Sequence, residues 1–231
     1  KEVDLIAAED TRHSIKLLNH FEIQTPMTSY HEYNKVEKAA QLVERMAQGI
    51  NIALITDAGT PGISDPGEEL VRQCYEAGIE VTSLPGPAAC ITALTMSGLP
   101  TRRFCFEAFL PSEKGDKKER IRILEELKRE TRTIIVYEAP HHLLAALKDL
   151  LGERRITICR ELTKKYEFAY QTTFQEAIAR YEAEEPKGEC VIVIEGKSPK
   201  EIKEEEIRVW QEMSLNEHME HYLAQGQDKK E

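Results

Sequence analysis

Residues 52–55, Ile-Ala-Leu-Ile, are consecutively apolar and are flanked by Asn51 and Thr56. A strand with one wet face alternates apolar and polar positions; this run does not, so both of its faces are covered. Asp57 to Gly67 follows as a polar loop rich in Gly and Pro, and a helical pattern opens near Pro66. A covered strand that feeds a helix is the building unit of parallel sheets, which commits the chain to an α/β architecture.

The same alternation runs through the chain. Val3 to Ala8 reads as a strand, Thr11 to His20 as a short helix, and Asn34 caps a longer helix with Glu37 at capping-box spacing. Val36, Ala39, Ala40, Val43, Met46 and Ala47 recur at helical period until Gly49. Asp65 is the expected N-cap of a helix over 66–77, and Ile79 to Leu84 the next strand. Pro85-Gly86-Pro87 breaks it, and a helix over 88–96 follows. Ser97-Gly98-Leu99-Pro100 is the best linker. Beyond it, strands are expected at 104–109, 133–137, 156–160 and 189–194, with helices at 116–130, 141–151 and 174–181. The predicted organisation is an N-terminal α/β domain over 1–98, a C-terminal α/β domain over 99–197, and an incomplete helical tail over 198–231. The first residue is Lys rather than Met, and the opening strand looks already under way, so an earlier strand is expected ahead of it.

Composition narrows the function. The chain has 231 residues, with 31 Lys and Arg against 41 Asp and Glu, a net charge of −10. That balance disfavours a generic nucleic-acid coat or a membrane-surface binder, but leaves room for a local basic groove. No run approaches the roughly 18 apolar residues of a membrane span. Five scattered cysteines form no C-x-x-C pair and read as reduced thiols of a cytosolic protein.

Chemistry concentrates where strands end. The loop Asp57-Ala58-Gly59-Thr60-Pro61-Gly62-Ile63-Ser64-Asp65 is long for a mere turn, because strand–helix connections usually run about 2–6 residues. Its glycines let backbone approach a ligand, and Asp57 suits a ribose or an amine. It is neither a phosphate-binding G-x-x-x-x-G-K-[ST] loop nor a G-x-G-x-x-G fingerprint. Pro85-Gly86-Pro87 is a second small-residue junction that by itself reads first as a tight turn, though it follows the next strand along and could form the other wall of the same crevice. Tyr137, Glu138 and Pro140 end a strand, where Tyr137 can close a pocket and Glu138 bind an amine, or Pro140 can simply start a helix. Adjacent His141 and His142 do not share a helix face and are poor metal ligands. From Arg154 to Tyr166 five basic residues meet one acid, a local excess able to touch phosphates. The plainer alternative is a solvated rim with an Arg160–Glu161 ion pair. Ala8 to His13 and Ser29 to Asn34 also lie at strand ends, and helix capping would account for both. No G-x-S-x-G, S-x-x-K or single-loop Cys-His pair supplies a nucleophile, which favours direct transfer between two bound substrates.

Taken in order, A-E-D-T-R (8–12), S-Y-H-E-x-N (29–34), D-A-G-T-P-G-I-S-D-P-G (57–67), P-G-P-A-A (85–89), Y-E-A-P-H (137–141) and R-E-L-T-K (160–164) resemble the ribosomal RNA small subunit methyltransferase I family of the tetrapyrrole methylase superfamily. The resemblance covers roughly Val3 to Gly196. It implies two α/β domains with S-adenosylmethionine in the cleft between them, no metal, a cytoplasmic homodimer, and 2′-O-methylation of a cytidine ribose in small-subunit ribosomal RNA, free or in the assembled subunit. Carried over by motif, Asp57, Gly59, Thr60, Pro61, Gly62, Ile63, Ser64 and Asp65 with Pro85, Gly86 and Pro87 would hold the donor, closed over by Tyr137, Glu138 and Pro140. Arg12, His31, Asn34 and Arg160 would face the RNA. Glu161, Asp10, or Lys164 with a lowered pKa are the base candidates. Family members also begin with an earlier strand and a T-P-I-G-N loop contributing to that cleft, and carry more C-terminal helix. Two rival readings are a tetrapyrrole-type small-molecule methyltransferase, whose loop is usually a shorter S-G-D-P type, and a non-enzymatic sensor of a nucleoside-like metabolite.

Overall fold

Strand β1 (Leu5–Ala8) is buried along its whole length and organises the first half of the chain. It is followed by α1 (Thr11–His20), β2 (Met27–Ser29), α2 (Lys35–Ala47), β3 (Ile52–Ile55), α3 (Glu68–Glu76) and α4 (Ala89–Ser97). This computed structural model describes residues 2–111, 116–150, 152–212 and 214. The chain divides into two compact units, Lys1–Thr92 and Ala93–Glu231.

In the first unit β2, β1 and β3 pair in that order, all parallel, with Ile6 opposite both Met27 and Ala53. Side chains alternate across the sheet as a period of two requires. Leu5 and Ala7 pack with Tyr30, Leu42 and Leu70 on one face, and Ile6 and Ala8 with Leu18 on the other. Ile52 and Leu54 join the first cluster, Ala53 and Ile55 the second, so both faces of β3 are covered as expected. Its residues are nonetheless only half-buried. The reason is lateral: among the described residues β3 has a neighbour on one side only, whereas β1 is flanked on both.

Three local expectations are corrected here. The stretch Ile79 to Leu84 carries a strand pattern, but no strand forms over 79–88. Ile79 and Val81 pack on the core while Leu84 is exposed, and without a ladder partner an extended segment is not a strand. Helix α3 begins at Glu68 with Gly67 as its N-cap, two residues later than Asp65 would have set it. A Cβ on Gly67 would sit 2.9 Å from the Gly62 nitrogen, so the loop folds back on itself before the helix can start. Asn34 is the N-cap of α2, but its side chain makes no capping bond. Asn34 Oδ1 instead accepts from the His31 N–H at 2.8 Å.

The second unit contains β4 (Phe104–Phe109), α5 (Lys117–Arg129), β5 (Thr133–Glu138), α6 (Pro140–Asp149), β6 (Arg155–Arg160), β7 (Phe168–Thr173), α7 (Phe174–Ala183), β8 (Cys190–Ile194) and α8 (Pro199–Glu212). Its sheet runs β4-β5-β8-β6-β7. Only β4 and β5 are parallel; β8 lies antiparallel between β5 and β6, and β7 forms an antiparallel edge on β6. Ile134, Val136, Ile158 and Ile192 meet Leu143, Leu147 and Phe174 in a fully buried core. Arg120 of α5 is buried and donates to Asp149 at 2.6 Å and to the Pro111 carbonyl at 2.7 Å. A capping box between Thr173 and Glu176 starts α7. Strand β7 is absent from the sequence expectation, although Phe168, Tyr170 and Thr172 do alternate. The expected tail is described as far as Glu212, and its continuation over 215–231 lies outside the described residues.

Candidate functional site

Parallel strands bring their carboxyl ends to one edge of a sheet, which is where ligands of open α/β sheets bind. In the first unit that edge gathers the turns after Ala8, Ser29 and Ile55. The Glu9 N–H donates to the Ile55 carbonyl at 3.3 Å, and the Tyr30 N–H to the Ala8 carbonyl at 2.8 Å. The loop after β3 turns through positive φ at Gly59 (79°), Gly62 (81°) and Ser64 (63°). Two of these positions are glycine because an L side chain is strained there. Thr60 Oγ1 donates to the Pro87 carbonyl at 2.8 Å and ties the loop to the Pro85-Gly86-Pro87 junction. A Cβ on Gly86 would come within 3.0 Å of that hydroxyl, which would have to give way by a few tenths of an ångström.

This edge is acidic. Burial, together with the neighbouring charges of Glu9 and Asp57, pushes the Asp65 carboxyl up to about 6. The Asp57 N–H reaches Glu9 Oε2 at 3.4 Å. Such a cluster is short of positive charge and suits a cationic ligand bearing hydroxyl groups. Asp10 is differently placed. It caps α1 by accepting from the Arg12 N–H at 2.8 Å and pairs with the Arg12 guanidinium at 2.9 Å, which holds its carboxyl down at about 2. His31 keeps a buried Nδ1 without a hydrogen-bond partner among the described residues.

In the second unit β5 ends on Tyr137, whose ring stands edge-on to Phe106 and Phe109 at 4.8 and 5.6 Å. Glu138 is buried, accepts from the Ala139 N–H at 2.9 Å, and has its pKa raised by burial. It lines a pocket of about 170 Å³ with Phe109, Leu110, Arg120, Ala139, His142 and Ala145. Pro140 occupies the first turn of α6, where its missing N–H costs nothing. Among the described residues no group of three His, Cys, Asp or Glu is placed to hold a metal ion.

The R-E-L-T-K turn that follows β6 is held from the strand beyond. Glu161 Oε1 accepts from the Glu189 N–H at 2.9 Å and from Lys164 Nζ at 3.1 Å, while Lys164 Nζ also reaches Glu189 Oε2 at 2.9 Å. Glu161 and Thr163 both have positive φ, 50° and 65°. The Arg160–Glu161 ion pair considered from sequence does not form. Arg160 Nε donates to the Lys187 carbonyl at 2.8 Å, and the partner of Glu161 is Lys164. The pKa of Lys164 is raised by Glu189 and Glu161, opposite to the lowered value expected of a base. That of Glu161 is lowered by the Glu189 N–H and by Lys164. Gly188 and Glu189 escape a reading of the sequence because they meet Glu161 only through the tertiary fold.

A parallel three-stranded sheet with an acidic, glycine-bent loop, and a second mixed α/β unit, define a protein of the tetrapyrrole methylase class. The chain belongs to the tetrapyrrole (corrin/porphyrin) methylase family, whose model matches residues 1–178. It is 49% identical over 228 residues to ribosomal RNA small subunit methyltransferase I of Synechocystis sp., covering 97% of this chain and 79% of that protein. It is 45% identical to the Bacillus subtilis protein of the same name, covering 100% of this chain and 79% of the relative. Within the class, it is a member of the ribosomal RNA small subunit methyltransferase I family. Solved structures share the fold at low identity. Diphthine synthase superposes with a TM-score of 0.61 at 15% identity, covering 85% of this chain and 81% of that one. The methyltransferase CobJ does so at 0.59 and 18%, covering 84% of each chain.

Proposed function

We propose that this chain uses S-adenosylmethionine to methylate the 2′-oxygen of a cytidine ribose in small-subunit ribosomal RNA, acting as a cytoplasmic homodimer. The observation that carries the reading is identity of 45–49% across nearly the whole chain to proteins named for ribosomal RNA methylation. Among the described residues no helix is long and apolar enough to cross a membrane.

The first unit fits the donor. Gly59 and Gly62 leave backbone open to a ligand, and Asp57, Asp65 and Glu9 give the edge the negative charge that a sulfonium and an ammonium require. In this reading Asp57 to Asp65 and Pro85 to Pro87 hold the donor, with Tyr137, Glu138 and Pro140 closing over it. When bound, S-adenosylmethionine supplies an already activated methyl group. The protein's part is then to align the ribose hydroxyl, and such positioning can account for about 7–11 kcal/mol of a barrier. Arg12, His31, Asn34 and Arg160 face the RNA in this reading.

The base candidates divide by their contacts. Asp10 and Glu161 are weakened as bases by the cations and N–H groups they already accept from. Lys164 is held as a cation. We assign Lys164 to charge stabilisation near the RNA and Glu161 to holding the turn that presents it. The test is to incubate the protein with methyl-labelled S-adenosylmethionine and either small ribosomal subunits or free ribosomal RNA, then map the label. Label on one cytidine 2′-oxygen is expected, and its distribution identifies the substrate form. Donor binding with no label on either substrate rejects the RNA assignment.

A further inference from the structure

We propose that the β6–β7 turn, the β7 edge and α7 form a docking surface for single-stranded RNA, built from Lys165, Tyr166, Phe168 and Arg180. The inference deepens the RNA reading above and rests on it, but it concerns residues outside the methylation site.

Two aromatic rings lie in the open here, Tyr166 at 72% and Phe168 at 43% exposure. Neither is needed to close the core, which Tyr170 and Tyr181 reach from the same region. Cations accompany them. The Arg180 guanidinium lies 5.4 Å from the Phe168 ring centre and 4.6 Å from that of Tyr170, and Lys165 Nζ stands 5.5 Å over Tyr166. Among the described residues no carboxylate forms an ion pair with Lys165 or Arg180, although this is an acidic chain in which Arg72, Arg122, Arg132 and Arg155 are all paired. Arg160 lies opposite Phe168 in the ladder, on β6, with its Nε bound to the Lys187 carbonyl.

Ring faces interleaved with uncompensated cations are what single-stranded nucleic acid requires, bases stacking on the rings and phosphates meeting the cations. A protein partner would need acids to match the cations; RNA brings one phosphate per nucleotide. The turn is also preorganised, which lowers the cost of binding. The Glu161–Glu189 contact holds one end, and Thr163 donates its N–H to Glu167 Oε2 at 2.6 Å inside it. Strand β7 is an edge, and edges are normally blunted by charge or cover rather than left with an exposed phenylalanine.

The experiment measures binding of a fluorescent single-stranded RNA of about 12 nucleotides to the full chain by anisotropy, across a salt series. Tyr166→Ala is expected to weaken binding about tenfold, the scale of losing one stacked base, and Tyr166→Phe to restore it. Lys165→Gln with Arg180→Gln should flatten the dependence of log Kd on log salt by about 0.7 for each phosphate that is no longer neutralised. Donor binding by calorimetry should stay unchanged in every variant. Variants that bind RNA like the parent overturn the proposal. So does a Tyr166→Ala protein that dissociates from dimer to monomer with RNA affinity intact, which would give the surface to a second copy. If the parent methylates ribosomal RNA while the variants bind and methylate as it does, the surface fails and the function stands. If the parent binds the oligonucleotide through these residues yet methylates no RNA, the function fails and the surface stands. A parent that binds no single-stranded RNA overturns the surface, and the function is then decided by the labelling of ribosomal RNA or subunits alone.

Discussion

Glu161 accepts a hydrogen bond from the backbone N–H of Glu189 across 28 residues of sequence, at 2.9 Å, with its side chain laid against Gly188. The same oxygen takes Lys164 at 3.1 Å, so the carboxylate serves the turn rather than standing free toward a substrate. Glu161→Gln keeps an oxygen acceptor and gives up the charge. Single-turnover methylation by this variant is expected within about tenfold of the parent, with the pH–rate profile unmoved. A loss of about 10³-fold or more would return Glu161 to the role of general base.

Gly188 follows from the same contact. A Cβ there would stand 2.4 Å from Glu161 Cγ, and its φ of 78° is strained for any L residue. Gly188→Ala is expected to cost about 2 kcal/mol of folding stability and to lower turnover more than Glu161→Gln does. Chemical denaturation together with single-turnover rates checks both expectations; an unchanged midpoint would show that the turn has room to yield.

Donor binding should depend on pH through Asp65. Its pKa of about 6 lies above the ordinary carboxylate value of 3.8, so below pH 6 it takes up a proton and the acidic edge loses charge. Affinity for the cationic donor is expected to fall as pH drops from 7.5 to 5.5, and Asp65→Asn should flatten that fall. Stability without ligand runs the other way. A carboxyl whose folded pKa is raised contributes stability below its unfolded pKa and loses it as pH rises through about 6. Asp65→Asn should therefore unfold later than the parent at pH 8 and no later at pH 4, as read by thermal melts.

The bond from Thr60 Oγ1 to the Pro87 carbonyl joins the two donor-binding segments of the proposal. Thr60→Val preserves shape and removes the donor. One such bond is worth about 1 kcal/mol, so affinity for S-adenosylmethionine should fall about fivefold with the fold intact. Titration calorimetry and circular dichroism separate that outcome from unfolding.

Arg120 is buried against a partner that is partly wet, Asp149 at 2.6 Å. Arg120→Met would leave that carboxylate and the Pro111 carbonyl without their donor, and a loss of about 3 kcal/mol is expected by urea unfolding. A neutral result would mean that water takes the place of the guanidinium.

Local pattern was enough to determine the α/β class, most helices, and the strand-end loops that hold the candidate site. Those signals sit within a few residues: the covered run at 52–55, the glycines of 57–67, Pro140 at a helix start, Asp10 at a cap. The three-residue strand Met27–Ser29 is too short for a period to show. The alternating Ile79 to Leu84 forms no strand, because a ladder requires a neighbour that periodicity does not supply. Tertiary structure alone decided the electrostatics. Asp65 is raised by burial and by Glu9 from the turn after β1, Lys164 is held as a cation by Glu189, and Glu161 depends on a glycine 27 positions away. Hydrogen-bonding period is a property of neighbours along the chain; charge, desolvation and close approach are properties of neighbours in space, and only folding brings those together.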